Sequence, residues 1–212
     1  VGLKENKVTC LEALLRWTSP QLGVVGPDEF IPLAEEIGEI GNIGRWVFDR
    51  ACAQLAEWDG LGIDESITVS VNVSPRQLAD DGFVPEVLST IARWSVDPRR
   101  LTVEVTESAT VDHGGVALDR LNALREAGLR VAIDDFGSGY SNLGQLLQVP
   151  FDAIKIDRSM LLTLSAMREQ AGGDPTAPCV IMEAIVTIAQ TLRAPVVCEG
   201  VETAVQRLSL QR

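Results

Sequence analysis

Arg130-Val131-Ala132-Ile133-Asp134-Asp135-Phe136-Gly137-Ser138-Gly139-Tyr140-Ser141 decides the fold. A short apolar run meets two adjacent acids and then a glycine-bearing turn, the pattern of a strand buried on both faces whose C-terminal end carries polar groups. Five other runs read as strands: Val8 to Leu14, Ile67 to Val73, Leu101 to Val105, Ala153 to Ile156 and Pro195 to Cys198. Helical patterns lie between most of them. Asn42 to Trp58 places Ile43, Trp46, Val47, Ala51, Leu55 and Trp58 on one face, and Val84 to Trp94, Val116 to Ala127 and Ile181 to Leu192 read alike. Gly60 and Gly128 mark helix ends, and Pro195 follows the last helix.

Alternating strands and helices predict a parallel sheet covered by helices. No G-x-G-x-x-G follows a strand, which argues against a dinucleotide-binding sheet. Polar residues at the C-terminal end of strand after strand favour a (β/α) barrel, whose site gathers from that rim. Six strands leave about two to be supplied for a closed ring of eight, so the expectation is a single domain over residues 1–212, truncated at both ends and part of a larger protein.

Composition narrows the function. A hydrophobic content of 46% supports a substantial core, and no run approaches the ~20 apolar residues of a membrane helix. No signal-peptide pattern stands at the N-terminus. Cys10, Cys52, Cys179 and Cys198 are scattered without C-x-x-C spacing, which speaks against a disulfide framework or structural zinc. A cytoplasmic setting is expected, with membrane anchoring of the parent protein left open. A net charge of −12 argues against a nucleic-acid polymer as partner. It also requires that any anionic ligand be received with cations that offset the local carboxylates.

The strand ends deliver Glu12, Asn72, Glu104, Asp134, Asp135, Lys155, Asp157 and Glu199. Oxygen donors without His or Cys suit hard cations such as magnesium or manganese. Side chains alternate along a strand, so Asp134 and Asp135 can reach one site only where the strand ends and the backbone turns. A carboxylate shared by two ions roughly 3.5 to 4 Å apart marks two-metal phosphoester hydrolysis. Lys155 stands in an apolar strand, where a charge needs a partner or a function. It can orient a nucleophilic water, or form a salt bridge to Asp157 or Asp135. Arg16 offers a fork for a phosphate oxygen, or else stacks on Trp17. His113, in a polar turn, reads as solvated. Residues Glu169 to Pro178 read as a mobile surface connection.

These residues resemble the EAL domains, named for the tripeptide Glu12-Ala13-Leu14. The likeness continues through Phe30-Ile31-Pro32-Leu33-Ala34-Glu35-Glu36, Val71-Asn72-Val73-Ser74, Glu104-Val105-Thr106-Glu107, the Asp134 to Ser141 stretch, Lys155-Ile156-Asp157 and Glu199-Gly200-Val201-Glu202. It implies a modified (β/α)8 TIM-like barrel that opens cyclic di-GMP to linear pGpG with two magnesium or manganese ions.

It further implies Glu12, Asn72, Glu104 and Asp134 as metal ligands, with Asp135 and Asp157 serving the second ion. Lys155, Glu199 and Glu12 become the catalytic set. Arg16 and Leu14 become substrate contacts, and Glu107 the anchor of the loop after the Asp pair, coupled to dimerisation. A homodimer, and a sensor or diguanylate cyclase domain in the same parent protein, fit the same family. The alternative is a catalytically silent receptor for cyclic di-GMP or a protein-interaction module. The chain departs from the family pattern in having Ser138 for Thr and Cys198 for Ala. A first strand with a Tyr-Gln-Pro-like motif and a later Gln-Gly motif are also not in it.

Overall fold

The computed structural model describes residues 1–3, 6–106, 109, 114–136, 149–160 and 180–210. Strand β1 (Cys10–Ala13) leads into a small antiparallel hairpin, β2 (Trp17–Ser19) and β3 (Gly23–Val25). Helices α1 (Pro27–Glu36) and α2 (Ile40–Gly60) follow. Next come β4 (Thr68–Asn72), the short α3 (Pro75–Ala79), α4 (Phe83–Trp94) and a 3-10 turn at Pro98–Arg100. The chain continues with β5 (Leu101–Thr106), α5 (Gly114–Glu126), β6 (Arg130–Phe136), β7 (Ala153–Ile156), α6 (Val180–Thr191), β8 (Val196–Cys198) and α7 (Ala204–Leu210).

Among the described residues β1, β4, β5, β6, β7 and β8 lie side by side in that order, all parallel, in one curled sheet. All six expected strands are present, and the sheet is an arc of the expected TIM-like barrel. Its two faces divide by alternation. Val69, Val71, Val103, Val105, Val131, Ile133, Ile154 and Ile156 are buried in one core with Phe48, Leu55, Leu78, Val87, Leu121, Leu124 and Ala189 from the helices. Of the intervening positions, Ser70, Glu104, Asp134 and Lys155 are buried and polar. They therefore line the opposite, concave face.

The helices depart from the sequence reading in detail. In α2 the buried stripe is Ile40, Gly44, Phe48, Ala51, Cys52 and Leu55, while Trp46 is 58% exposed. The stripe passes through Gly44, which admits a close approach by Gln77 of α3 that a bulkier residue would block. The helix runs through Gly60 and the left-handed turn falls to Gly62, φ 68°. At Gly128, φ 101°, the expected terminator does end α5. The hairpin and helices α1, α3 and α7 lay outside the sequence reading. Each is too short or too interrupted, as by Pro32 in α1, to show a clean period.

No described helix is long and apolar enough to cross a membrane. Residues 107, 113 and 169–178, with the readings placed on them, lie outside the described residues.

Candidate active site

Local chemistry at each strand exit sets the site. After β4, Ser74 caps α3 with a reciprocal pair of bonds: its hydroxyl accepts from the Gln77 amide, and the Gln77 side chain accepts from the Ser74 amide. The chain therefore turns sharply just beyond Asn72. Strand register then places Asn72 opposite Glu104, and Glu12 opposite Ser70.

In β6 the two acids are accommodated differently from the sequence reading. The strand does not end at Asp134 but runs on to Phe136, with a register shift against β7 between Ile133 and Phe136. Asp135 takes a left-handed φ of 54° there, and its amide donates to Asp134 Oδ1 at 2.9 Å. A bulge of this kind re-aims a side chain that strict alternation would send to the other face.

Lys155 Nζ stands where these exits converge. It donates to Glu104 Oε2 at 2.7 Å, Glu199 Oε1 at 2.8 Å, Asp134 Oδ2 at 3.2 Å and Glu12 Oε2 at 3.5 Å. Its ion pairs thus go to these four acids, where the sequence reading had weighed Asp157 or Asp135. Asn72 Nδ2 donates to Glu12 Oε1 at 2.7 Å, so the outermost carboxylate is held from two sides. Lys155 and Glu104 are buried, at 5% and 4% exposed, whereas Glu12 and Asn72 open to solvent.

Burial pushes the Glu104 acid up to about 7, and the charge of Glu12 acts in the same direction; the bond from Lys155 opposes both. Burial alone would pull the Lys155 ammonium down, but its bonds to Glu104 and Glu199 and the charges of Glu104 and Asp134 hold it raised. Asp135 is raised by burial and by the charges of Asp134, Asp157 and Glu199, which places all four acids in one field. Asp157 is lowered because Ser159 donates to it from hydroxyl and amide, the amide bond being 2.7 Å.

Glu12, Glu104 and Asp134 each offer an oxygen within 4.8 Å of the others. Such a set can hold a metal ion: the donors are hard oxygens, and a cation among them would favour the charged form of Glu104 that burial, and to a lesser degree the charge of Glu12, disfavours.

Arg16 follows β1 and is exposed, with its guanidinium on the Leu15 carbonyl at 2.7 Å. Trp17 meets Phe30 edge-on at 5.9 Å, in place of the weighed stacking on Arg16. Leu14 is 55% exposed at the same exit. One participant escaped the sequence reading. Ser70, 2% exposed, bonds the Glu104 carboxylate. The signal was available, since Ser70 stands two residues before Asn72 on β4, between Val69 and Val71, and so shares its face.

A family model described as EAL domain matches residues 1–212. The oxygen sensor protein DosP of Escherichia coli is 43% identical over 197 residues, 92% of this chain and 23% of that protein. The bifunctional diguanylate cyclase/cyclic di-GMP phosphodiesterase MucR of Pseudomonas aeruginosa is 41% identical over 203 residues, 95% of this chain and 28% of that protein. The chain thus spans about a quarter of the length of these two relatives. A solved structure of the PaMucR phosphodiesterase in complex with c-di-GMP matches with a TM-score of 0.84 at 39% identity, covering 96% of this chain and 79% of that one.

Proposed function

The chain belongs to the EAL domain family, and from that premise we propose that it hydrolyses cyclic di-GMP to linear pGpG with divalent cations, magnesium or manganese, two in the active state. The observation that carries the reading is the convergence of Glu12, Glu104, Asp134 and Glu199 on Lys155 at the C-terminal rim of a parallel sheet.

Glu12, Asn72, Glu104 and Asp134 would hold one ion, with Asp134 shared and Asp135 and Asp157 serving the second. When bound, the cations supply Lewis-acid polarisation of the phosphodiester and a lowered pKa for an attacking water. In the reaction, water oxygen bonds to phosphorus, one phosphodiester P–O bond breaks, and the leaving ribose oxygen is protonated. Lys155 and Glu199, bonded to each other at 2.8 Å, are the pair to orient that water and carry its proton. Arg16, exposed beside the site and paired with the Leu15 carbonyl, is free to swing its fork to a phosphate oxygen, while Leu14 presents apolar surface to a base. Glu107 would anchor the loop after the Asp pair.

The test is incubation of the chain with cyclic di-GMP and magnesium or manganese, followed by chromatography of the nucleotides. Appearance of pGpG that a chelator abolishes is the expected result. Saturable binding of cyclic di-GMP with no pGpG at high protein concentration would replace this reading with that of a receptor.

A further inference from the structure

Glu199 is placed differently from Glu104 and Asp134. Glu104 and Asp134 are buried within central strands, whereas Glu199 follows a three-residue strand, β8, whose one neighbour among the described residues is β7 and whose Val197 is 46% exposed. Burial therefore holds it less fully than those two, its side chain being 32% exposed against 4% for Glu104 and 13% for Asp134. Three links run instead from the exit of β7 to the exit of β8. The Glu199 amide donates to the Ile156 carbonyl at 3.0 Å. Gly200 turns left-handed at φ 67°, and the Arg158 stem lies against it so closely that a methyl group there would collide with Arg158 Cβ, Cγ and Cδ. Beyond the glycine, Arg158 Nη2 pairs with Glu202 Oε1 at 2.8 Å. From the far side, Gln206 accepts from the Glu202 and Thr203 amides at 2.8 and 2.9 Å, tying the same turn to α7.

We propose that Arg158, Gly200 and Glu202 form a latch that positions Glu199 on Lys155, with Arg158 a positioning residue rather than a catalytic one. This rests on the reading of the site as a phosphodiesterase for its kinetic arm alone. The Arg158 stem fills the space over Gly200 and the guanidinium spans the turn, so the second residue after β7 sets where the acid after β8 can stand. Glu202 lies three residues past Glu199 and supplies the counter-charge. Small misplacements of a positioned group have large rate effects.

The test uses the 212-residue chain and the variants Arg158→Ala, Arg158→Lys, Arg158→Glu, Glu202→Arg and the double charge exchange. Two readouts are taken: steady-state kinetics on cyclic di-GMP, and amide hydrogen exchange over residues 196–203 in the metal-free protein. Arg158→Ala is expected to lower kcat by about tenfold with KM within about twofold, and to speed exchange in that segment. Arg158→Lys, which keeps stem and charge, should recover most of both. Each single charge reversal should lose both, and the double exchange should restore them.

Unchanged exchange in Arg158→Ala overturns the latch, as does a raised KM at constant kcat, which would make Arg158 a substrate contact. Should the wild-type chain show no turnover, the phosphodiesterase reading falls and hydrogen exchange alone decides the latch. Should Arg158→Ala fail to fold, the charge-exchange set decides it by the same criteria.

Discussion

Lys155 offsets the charge of four acids, two of them in a buried environment, and its removal has consequences before any substrate arrives. Lys155→Ala leaves Glu104 and Asp134 without their counter-charge, and the metal-free protein is expected to lose about 3 kcal/mol of stability at neutral pH, read from urea denaturation. Turnover should fall at least about 100-fold while cyclic di-GMP binding, followed by calorimetry, survives. Normal turnover in this variant would remove Lys155 from the mechanism.

Glu104 gives a pH signature. Its folded-state value of about 7 lies above the ordinary 4.5, so its contribution to stability is complete below about 4.5 and is lost as pH rises through about 7. Thermal melts of the metal-free chain should therefore show Tm declining across that window, and Glu104→Gln should flatten the decline. A wild-type profile that rises over the same range would contradict the assignment.

At the scale of elements, the exit of β4 shows how a few local bonds aim a functional side chain. Ser74→Ala removes the N-cap of α3 and should cost about 1 kcal/mol in denaturant unfolding. Gly44→Ala is expected to cost more, about 1 to 3 kcal/mol, because the new methyl meets a Gln77 amide whose oxygen is already committed to the Ser74 amide. The two sites share Gln77, so their effects should not add; additive losses in the double variant would mean that the capping pair and the α2–α3 approach are independent. The bulge in β6 belongs to the same scale. It is an element-level solution to a problem visible in two adjacent letters, Asp134 and Asp135, and the sequence reading placed the solution at a strand end because the backbone conformation of Asp135 leaves no mark on composition or period.

For the whole molecule, the net charge of −12 and the acids gathered at one rim predict that divalent cations stabilise the folded state. Magnesium or manganese should raise Tm in a saturable way, by about 2.7 kcal/mol of added stability at 100 times the dissociation constant, and a chelator should reverse it. Neutralising Glu12, Glu104 and Asp134 together should abolish the rise; its persistence would place the cations elsewhere.

The strands were legible because a parallel sheet buried on both faces demands apolar runs, and the polar exits after them stood out against those runs, as at Lys155 and Glu199. Hydrophobic period and chemical type thus determined the α/β class and marked the polar strand exits, and the ordered motifs from Glu12-Ala13-Leu14 to Glu199-Gly200-Val201-Glu202 determined the family. The tertiary structure alone decided how the acids share one ammonium, that Trp46 faces out and Gly44 in, and that Arg158 reaches across Gly200 to Glu202. Those outcomes depend on distances between strands far apart in the chain and on backbone turns with positive φ. A pattern of residue types carries no record of either.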